Sequence, residues 1–142
     1  MNKNVILITG SNGEMGKALI QRFMKNKSNT IITLDINESI NDSIVHDYFH
    51  GSILDKKLLS QINSKYKINS IYHLAAILST KAEQNPEFAS AVNINGTQNM
   101  IEMCISQFEQ YSFVIPFFFP SSIAVYNMNN EVNRSVNESM YC

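Results

Sequence analysis

The chain has 142 residues, 44% of them hydrophobic and 16% charged, with a net charge of −1. That composition suits one globular domain. It gives no electrostatic reason to bind nucleic acid or an anionic membrane, and no apolar run approaches the ~18 residues of a spanning helix.

The opening "MNKN" runs straight into a strand-like segment, with nothing resembling a signal peptide before it. "NVILITG" is apolar on both parities and rich in β-branched residues, as a strand covered on both faces requires. From Glu14 the pattern turns helical, with Met15, Ala18, Leu19 and Phe23 on one face. "NTIITLD" reads as a second buried strand ending at Asp35, and "SIVHDYFHG" as a weaker third. "DKKLLSQINSKY" reads as a helix with Leu58, Leu59 and Ile62 inward. "INSIYHLAA" is a fourth strand, where small Ala75 and Ala76 allow close approach.

The long segment "NPEFASAVNINGTQNMIEMCISQF" predicts a helix over residues 85–108. Asn85 stands at the N-cap and Pro86 at the first helical position, where its missing N–H costs nothing. Ala89, Val92, Met100, Met103 and Cys104 keep helical spacing. Gly96 sits mid-helix at a cost of ~1 kcal/mol relative to alanine, which signals close packing against a neighbour. Pro116 is excluded from a central strand, so residues 117–119 are taken as the fifth strand. "NMNNEVNRSVNESMYC" is polar and without period, a loop. The expected organisation is a Rossmann-type α/β domain over residues 1–126 and a polar tail over 127–142. Strands and helices alternate, as in a doubly wound parallel sheet.

Three glycines, Gly10, Gly13 and Gly16, lie between the first strand and the first helix. A doubly wound fold binds a pyrophosphate at this turn. Gly10 permits the turn, Gly13 lets a phosphate reach backbone N–H groups, and Gly16 lets the helix pack close to the sheet. The helix N-terminus adds free donors and a partial positive charge. Asp35 ends the second strand 19 residues after Gly16, where a carboxylate accepts hydrogen bonds from an adenosine ribose and repels a 2′-phosphate. No arginine follows in "DINESIND", which favours NAD over NADP. The competing reading is an ordinary structural turn with a solvated acid.

Other candidates weigh less. His46 and His50 are four apart, a metal-ligand spacing on a helix, but they lie in a strand pattern and no metal site is expected. His73 reads as a polar strand end beside the crevice, and Cys104 as core, with no feature that lowers its pKa. Two cysteines, one of them the terminal Cys142, argue against a disulfide framework and for a reduced, cytoplasmic setting. The frequent asparagines read as compositional bias.

The spacing is GxxGxxG. "TGSNGEMG", "HLAA", "VNINGTQNMIEMC" and "PSSIAVY" occur in this order and span nearly the whole chain. Together they resemble the extended short-chain dehydrogenase/reductase family, which includes nucleotide-sugar epimerases and dehydratases. "HLAAILSTKAEQNPEFASAVNINGT" and "PSSIAVY" are most similar to its short-chain-type L-threonine 3-dehydrogenases. The resemblance implies that Gly10, Asn12, Gly13, Glu14 and Met15 surround the pyrophosphate. It implies that Asp35 and Ile36 hold the ribose, that Ile53, Leu74, Ala75 and Ala76 line the cofactor path, and that Asn93 faces the cofactor from the long helix. Ser122 and Tyr141 are the implied catalytic pair: a serine bonding the reacting oxygen and a tyrosine base.

The chain also departs from the family pattern. The lysine that normally follows the tyrosine by four positions would lie past Cys142. The Ser122–Tyr141 interval is about six residues short by the family pattern, and Ser52 stands where relatives carry an adenine-contacting acid. The expectation is therefore the cofactor half of an NAD-dependent oxidoreductase that acts on a small molecule, an amino acid or a nucleotide sugar. A non-catalytic dinucleotide-binding remnant is the alternative. Family members commonly dimerise through two long helices, one corresponding to residues 85–108, so a homodimer is also implied.

Overall fold

A computed structural model of the chain describes residues 4–38 and 44–122. Five strands form one all-parallel sheet in the order β3-β2-β1-β4-β5: β1 (Asn4–Thr9), β2 (Asn29–Asp35), β3 (Asp47–His50), β4 (Ser70–His73) and β5 (Phe117–Phe118). The Rossmann-type doubly wound expectation therefore holds over these residues. The chain steps outward from β1 to β3, then returns to lay β4 on the other side of β1. That reversal is the switch point at which such sheets bind ligands, outside the carboxyl ends of the strands.

The apolar parities of β1 go to opposite faces, because successive side chains alternate across a sheet. Val5 and Leu7 join Ile32, Leu34, Ile62, Ile71, Met100 and Met103 on one side. Ile6 and Ile8 join Ile31, Leu19, Ile20 and Phe23 on the other. The first side is covered by α2 (Lys56–Lys65) and α5 (Thr97–Tyr111), the second by α1 (Glu14–Phe23). Asp55 caps α2, its carboxylate accepting from the N–H groups of Lys57 and Leu58. Across the β3 edge, Asp47 accepts from Lys65 and from the Tyr66 hydroxyl. Charge at an edge discourages pairing with a foreign strand.

Three sequence expectations change. The packed face of α1 is Gly16, Leu19, Ile20 and Phe23, whereas Met15 is 63% exposed and Ala18 is exposed. Met15 and Ala18 lie within the same broad arc as Leu19, but Gly16 alone can approach the loop closely, and it sets the helix rotation. The fourth strand stops at His73, so Leu74 to Ala76 form a loop at its carboxyl end. The long helix runs without a gap as expected but changes geometry within it, as α4 (Pro86–Ser90), a π-helical turn (Ala91–Gly96) and α5, and it is preceded by an unforeseen short α3 (Ser79–Gln84). Asn85 does cap α4, its side chain accepting from the N–H of Phe88. Gly96 packs as expected: a Cβ there would lie 2.3 Å from the Ile53 Cδ1. The polar tail, 127–142, lies outside the described residues.

Candidate functional site at the switch point

The loop from Gly10 to Gly13 sits at the carboxyl end of β1. Gly10 has φ +68°, and a Cβ on it would lie 2.7 Å from the Ala75 nitrogen. Both the left-handed backbone and the approach of the β4 loop therefore demand glycine. At Gly16 a Cβ would lie 2.6 Å from the carbonyl oxygens of Gly10 and Ser11. Gly16 thus seats the helix against the loop itself, which corrects the expectation that it packs against the sheet. Gly13 differs from both. It is exposed, has an ordinary extended backbone (φ −68°, ψ 167°), and its Cβ would approach only the Gly10 oxygen, at 3.2 Å. It stands at the N-cap of α1 with no side chain to cap the helix. The first-turn N–H groups, from Glu14 to Gly16, have no acceptor within the helix. Glu14 and Met15 are exposed beside them.

Asp35 ends β2, is 7% exposed, and is tied to this loop. Its Oδ2 accepts from the Asn12 N–H at 2.9 Å; its Oδ1 accepts from the Asn37 N–H (2.9 Å) and side-chain amide (3.1 Å). A carboxylate offers about four lone-pair sites. Among the described residues three are used, leaving one on Oδ2. The segment after Asp35 is pinned as well. The Asn12 side chain donates to the carbonyls of Asn37 and Glu38, the Tyr48 hydroxyl to that of Asn37, and His50 Nε2 lies 2.9 Å from that of Ile36. Ile36 is 64% exposed on this rim.

On the β4 side, Leu74 and Ala75 are half-buried and Ala76 is exposed. Asn93 lies in the π-helical turn, but its amide grips the Ile77 backbone: Oδ1 accepts from Ile77 N–H (2.8 Å) and Nδ2 donates to Ile77 C=O (2.9 Å). It therefore fastens the crevice wall. Ile53 is buried against Gly96, with its carbonyl accepting from Asn99. Ser122 is exposed, four positions beyond β5. Tyr141 lies outside the described residues.

His73 is fully buried between Thr9 and Thr97, and burial pushes its pKa down to about 4. Burial pushes the Cys104 thiol up to about 11, in keeping with a core residue and against a nucleophile. His46 packs edge-on to Tyr66, and His50 bonds backbone. Sequence reading missed Thr9, Asn37, Thr97 and Tyr48. Of these only Asn37, two positions after the acid, carried a local signal, since Asn and Asp side chains favour such short turns. Ser11 was also missed. Its hydroxyl is buried and has no hydrogen-bond partner among the described residues. Ser11→Ala is expected to raise the unfolding free energy by about 1 kcal/mol, because an unsatisfied buried hydroxyl costs ~1–3 kcal/mol. Urea titration of the two proteins measures it; a destabilised variant would show that the hydroxyl is satisfied in solution.

Residues 6–141 match the NAD dependent epimerase/dehydratase family. A monomeric L-threonine 3-dehydrogenase from a metagenome superimposes with TM-score 0.71 at 36% identity, over 85% of this chain and 37% of that one. The GalE-like L-threonine dehydrogenase of Cupriavidus necator gives TM-score 0.71 at 28% identity, over 85% of this chain and 38% of its own. The inactive mitochondrial L-threonine 3-dehydrogenase of Homo sapiens is 28% identical over 130 residues, 90% of this chain and 54% of that one. The chain thus spans less than two fifths of these two solved relatives and about half of the human one. Among the described residues no helix is long and apolar enough to cross a membrane. With a five-stranded parallel sheet, a glycine loop at its switch point and this match over almost its full length, the chain belongs to the NAD-dependent epimerase/dehydratase family.

Proposed function

We propose that this chain is the NAD-binding part of an oxidoreductase that oxidises the hydroxyl of L-threonine to 2-amino-3-oxobutanoate. The observation that carries the cofactor half is the bond from the Asn12 N–H to Asp35 Oδ2. It locks the glycine loop to the acid at the end of β2, so that phosphate donors and ribose acceptor have a fixed separation before any ligand arrives. When bound, the cofactor supplies hydride acceptance, and the protein's work is to orient it. In this reading the N–H groups of Glu14 and Met15 face the pyrophosphate beside the bare Cα of Gly13, whose own N–H donates to the Gly10 carbonyl, while Asp35 and Ile36 face the ribose and Ile53, Leu74, Ala75 and Ala76 line the path. Asn93 acts through Ile77. Ser122 and Tyr141 hold the reacting oxygen and its proton.

The threonine assignment is supported by the 36% identity to a threonine dehydrogenase. A nucleotide-sugar epimerase or dehydratase, and a non-catalytic remnant, are the competing readings; the human relative named inactive favours the last. The domain reading is a dinucleotide-binding unit over 1–126 followed by a polar tail. A cytoplasmic location accords with the free thiol of Cys104. Exposed Ile94, Ile101, Ile105 and Phe108 follow one another along one helical stripe, which supports a homodimer through α5, although the metagenomic relative is monomeric.

Calorimetric titration with NAD and NADP tests the reading. NAD is expected to bind at least tenfold more tightly, about 1.4 kcal/mol, because a 2′-phosphate would meet the Asp35 carboxylate with only one lone-pair site free and no arginine in "DINESIND". Equal or tighter binding of NADP would overturn the assignment of Asp35, and no binding of either would overturn the dinucleotide reading.

A further inference from the structure

His73 ends β4 beside Thr9, which ends β1, so the pair lies directly beneath the switch point. The directions of the hydrogen bonds around it follow from counting protons. The Thr97 hydroxyl donates to the Asn93 carbonyl at 2.7 Å. Its oxygen therefore accepts from His73 Nε2–H, at 3.0 Å. Nδ1 is then bare and accepts from the Thr9 hydroxyl at 2.7 Å, and the Thr9 oxygen in turn accepts from the Ala75 N–H at 3.3 Å. Every hydroxyl proton is used once, and only the neutral imidazole with its proton on Nε2 satisfies all members.

The two ends of this chain meet the same short wall. At one end is Ala75. At the other is Asn93, whose side chain holds both backbone groups of Ile77. The Thr97 N–H, at the C-cap of the π-helical turn, bonds Ile94 instead of Asn93, and it is the Thr97 hydroxyl that donates to the Asn93 carbonyl. Phe117 and Phe119 of the β5 segment cover the imidazole, with ring centroids at 5.8 and 5.7 Å.

We propose that His73 is a positioning residue for the dinucleotide: by joining Thr9 to Thr97 it holds the crevice wall at residues 75–77 against the glycine loop. The residue does not touch the cofactor. The close packing of Ala75 on Gly10 shows how little play is allowed, since even a methyl group at residue 10 would strike it. The consequence for binding rests on the dinucleotide reading above; the consequence for the wall does not.

The test uses the full chain and four proteins: wild type, His73→Gln, Thr97→Val and Thr97→Ser. Thr97→Val keeps the shape and removes the hydroxyl, and serves if His73→Gln fails to fold. Thr97→Ser restores the hydroxyl. Amide exchange is read by NMR at Ala75 and Ile77, with buried Leu7 in β1 as reference, and NAD affinity by calorimetry. Thr97→Val and folded His73→Gln are expected to accelerate exchange at Ile77 and Ala75 by roughly tenfold relative to Leu7, and to weaken NAD by a similar factor, as loss of a buried hydrogen bond predicts. Thr97→Ser should match wild type in both. If Leu7, Ala75 and Ile77 accelerate together, or NAD affinity is unchanged, His73 is a core residue only and the proposal fails. A wild-type chain that binds no NAD overturns the dinucleotide reading and the binding half with it; a wild-type chain that binds NAD beside an unaffected Thr97→Val overturns the positioning role alone.

Discussion

Replacing Gly13 with valine is expected to abolish dinucleotide binding and leave the chain folded, whereas replacing Gly16 with valine should unfold it. The two residues share a loop and a residue type but differ in what surrounds the missing Cβ. At Gly13 the backbone is extended and the only near atom is the Gly10 oxygen at 3.2 Å. A small shift accommodates the new carbon, and the rest of the side chain projects to the exposed side, where a pyrophosphate would approach the N–H groups of α1. At Gly16 the new Cβ would meet two carbonyl oxygens at 2.6 Å and the Ser11 Cα at 2.7 Å. All three belong to backbone and cannot rotate away. Overpacking of this kind costs ~1–3 kcal/mol or more, and valine adds its branch to the same collision. Thermal unfolding followed by circular dichroism, with NAD titration alongside, separates the outcomes. A Gly13→Val protein that still binds NAD would show that this turn does not hold phosphate. A Gly16→Val protein as stable as wild type would contradict the packing of α1 on its own loop.

Acidification should destabilise the chain through His73, by roughly 3 kcal/mol when complete. The unfolded residue titrates near its ordinary 6.5, while burial lowers the folded value to about 4. Between those values the unfolded state binds the extra proton, so stability rises with pH there and is lost as pH falls from 6.5 through 4. The difference between the two values, at ~1.4 kcal/mol for each power of ten in proton concentration, sets the figure. Asp47, held below the ordinary carboxylate range by hydrogen bonds from Lys65 and Tyr66, contributes in the same direction at lower pH. Its ion pair is half exposed to solvent and screened, so its share is small. Urea unfolding at about pH 7 and about pH 4.5, in wild type and His73→Gln, isolates the histidine by difference. An equal loss in both proteins would mean that His73 is accessible to protons in the folded state at its ordinary pKa.

Local sequence determined a good deal of this molecule. The five strand segments, the N-cap at Asn85, and the glycine triplet followed by Asp35 could all be read from short stretches. Each depends on period, capping chemistry or backbone freedom within a few residues. Tertiary structure alone decided the rotation of α1, because Gly16 meets a loop that its own neighbours form, and Met15 is turned to solvent as a result. It also decided the π-helical turn inside the long helix at residues 91–96, where Asn93 binds the Ile77 backbone and Thr97, just past the turn, bonds to β4.

The asparagines mark the same boundary. As composition they carried no chemistry, yet Asn69 accepts from the Val5 N–H, Asn93 holds Ile77 and Asn99 holds Ile53. An amide that satisfies a backbone group of a distant segment leaves no periodic trace, because its partner is set by how the chain comes together in space. His73 is the clearest case. Its sequence position showed a polar strand end, and only the meeting of β1, β4 and the start of α5 supplied the partners that fix its proton and bury its ring.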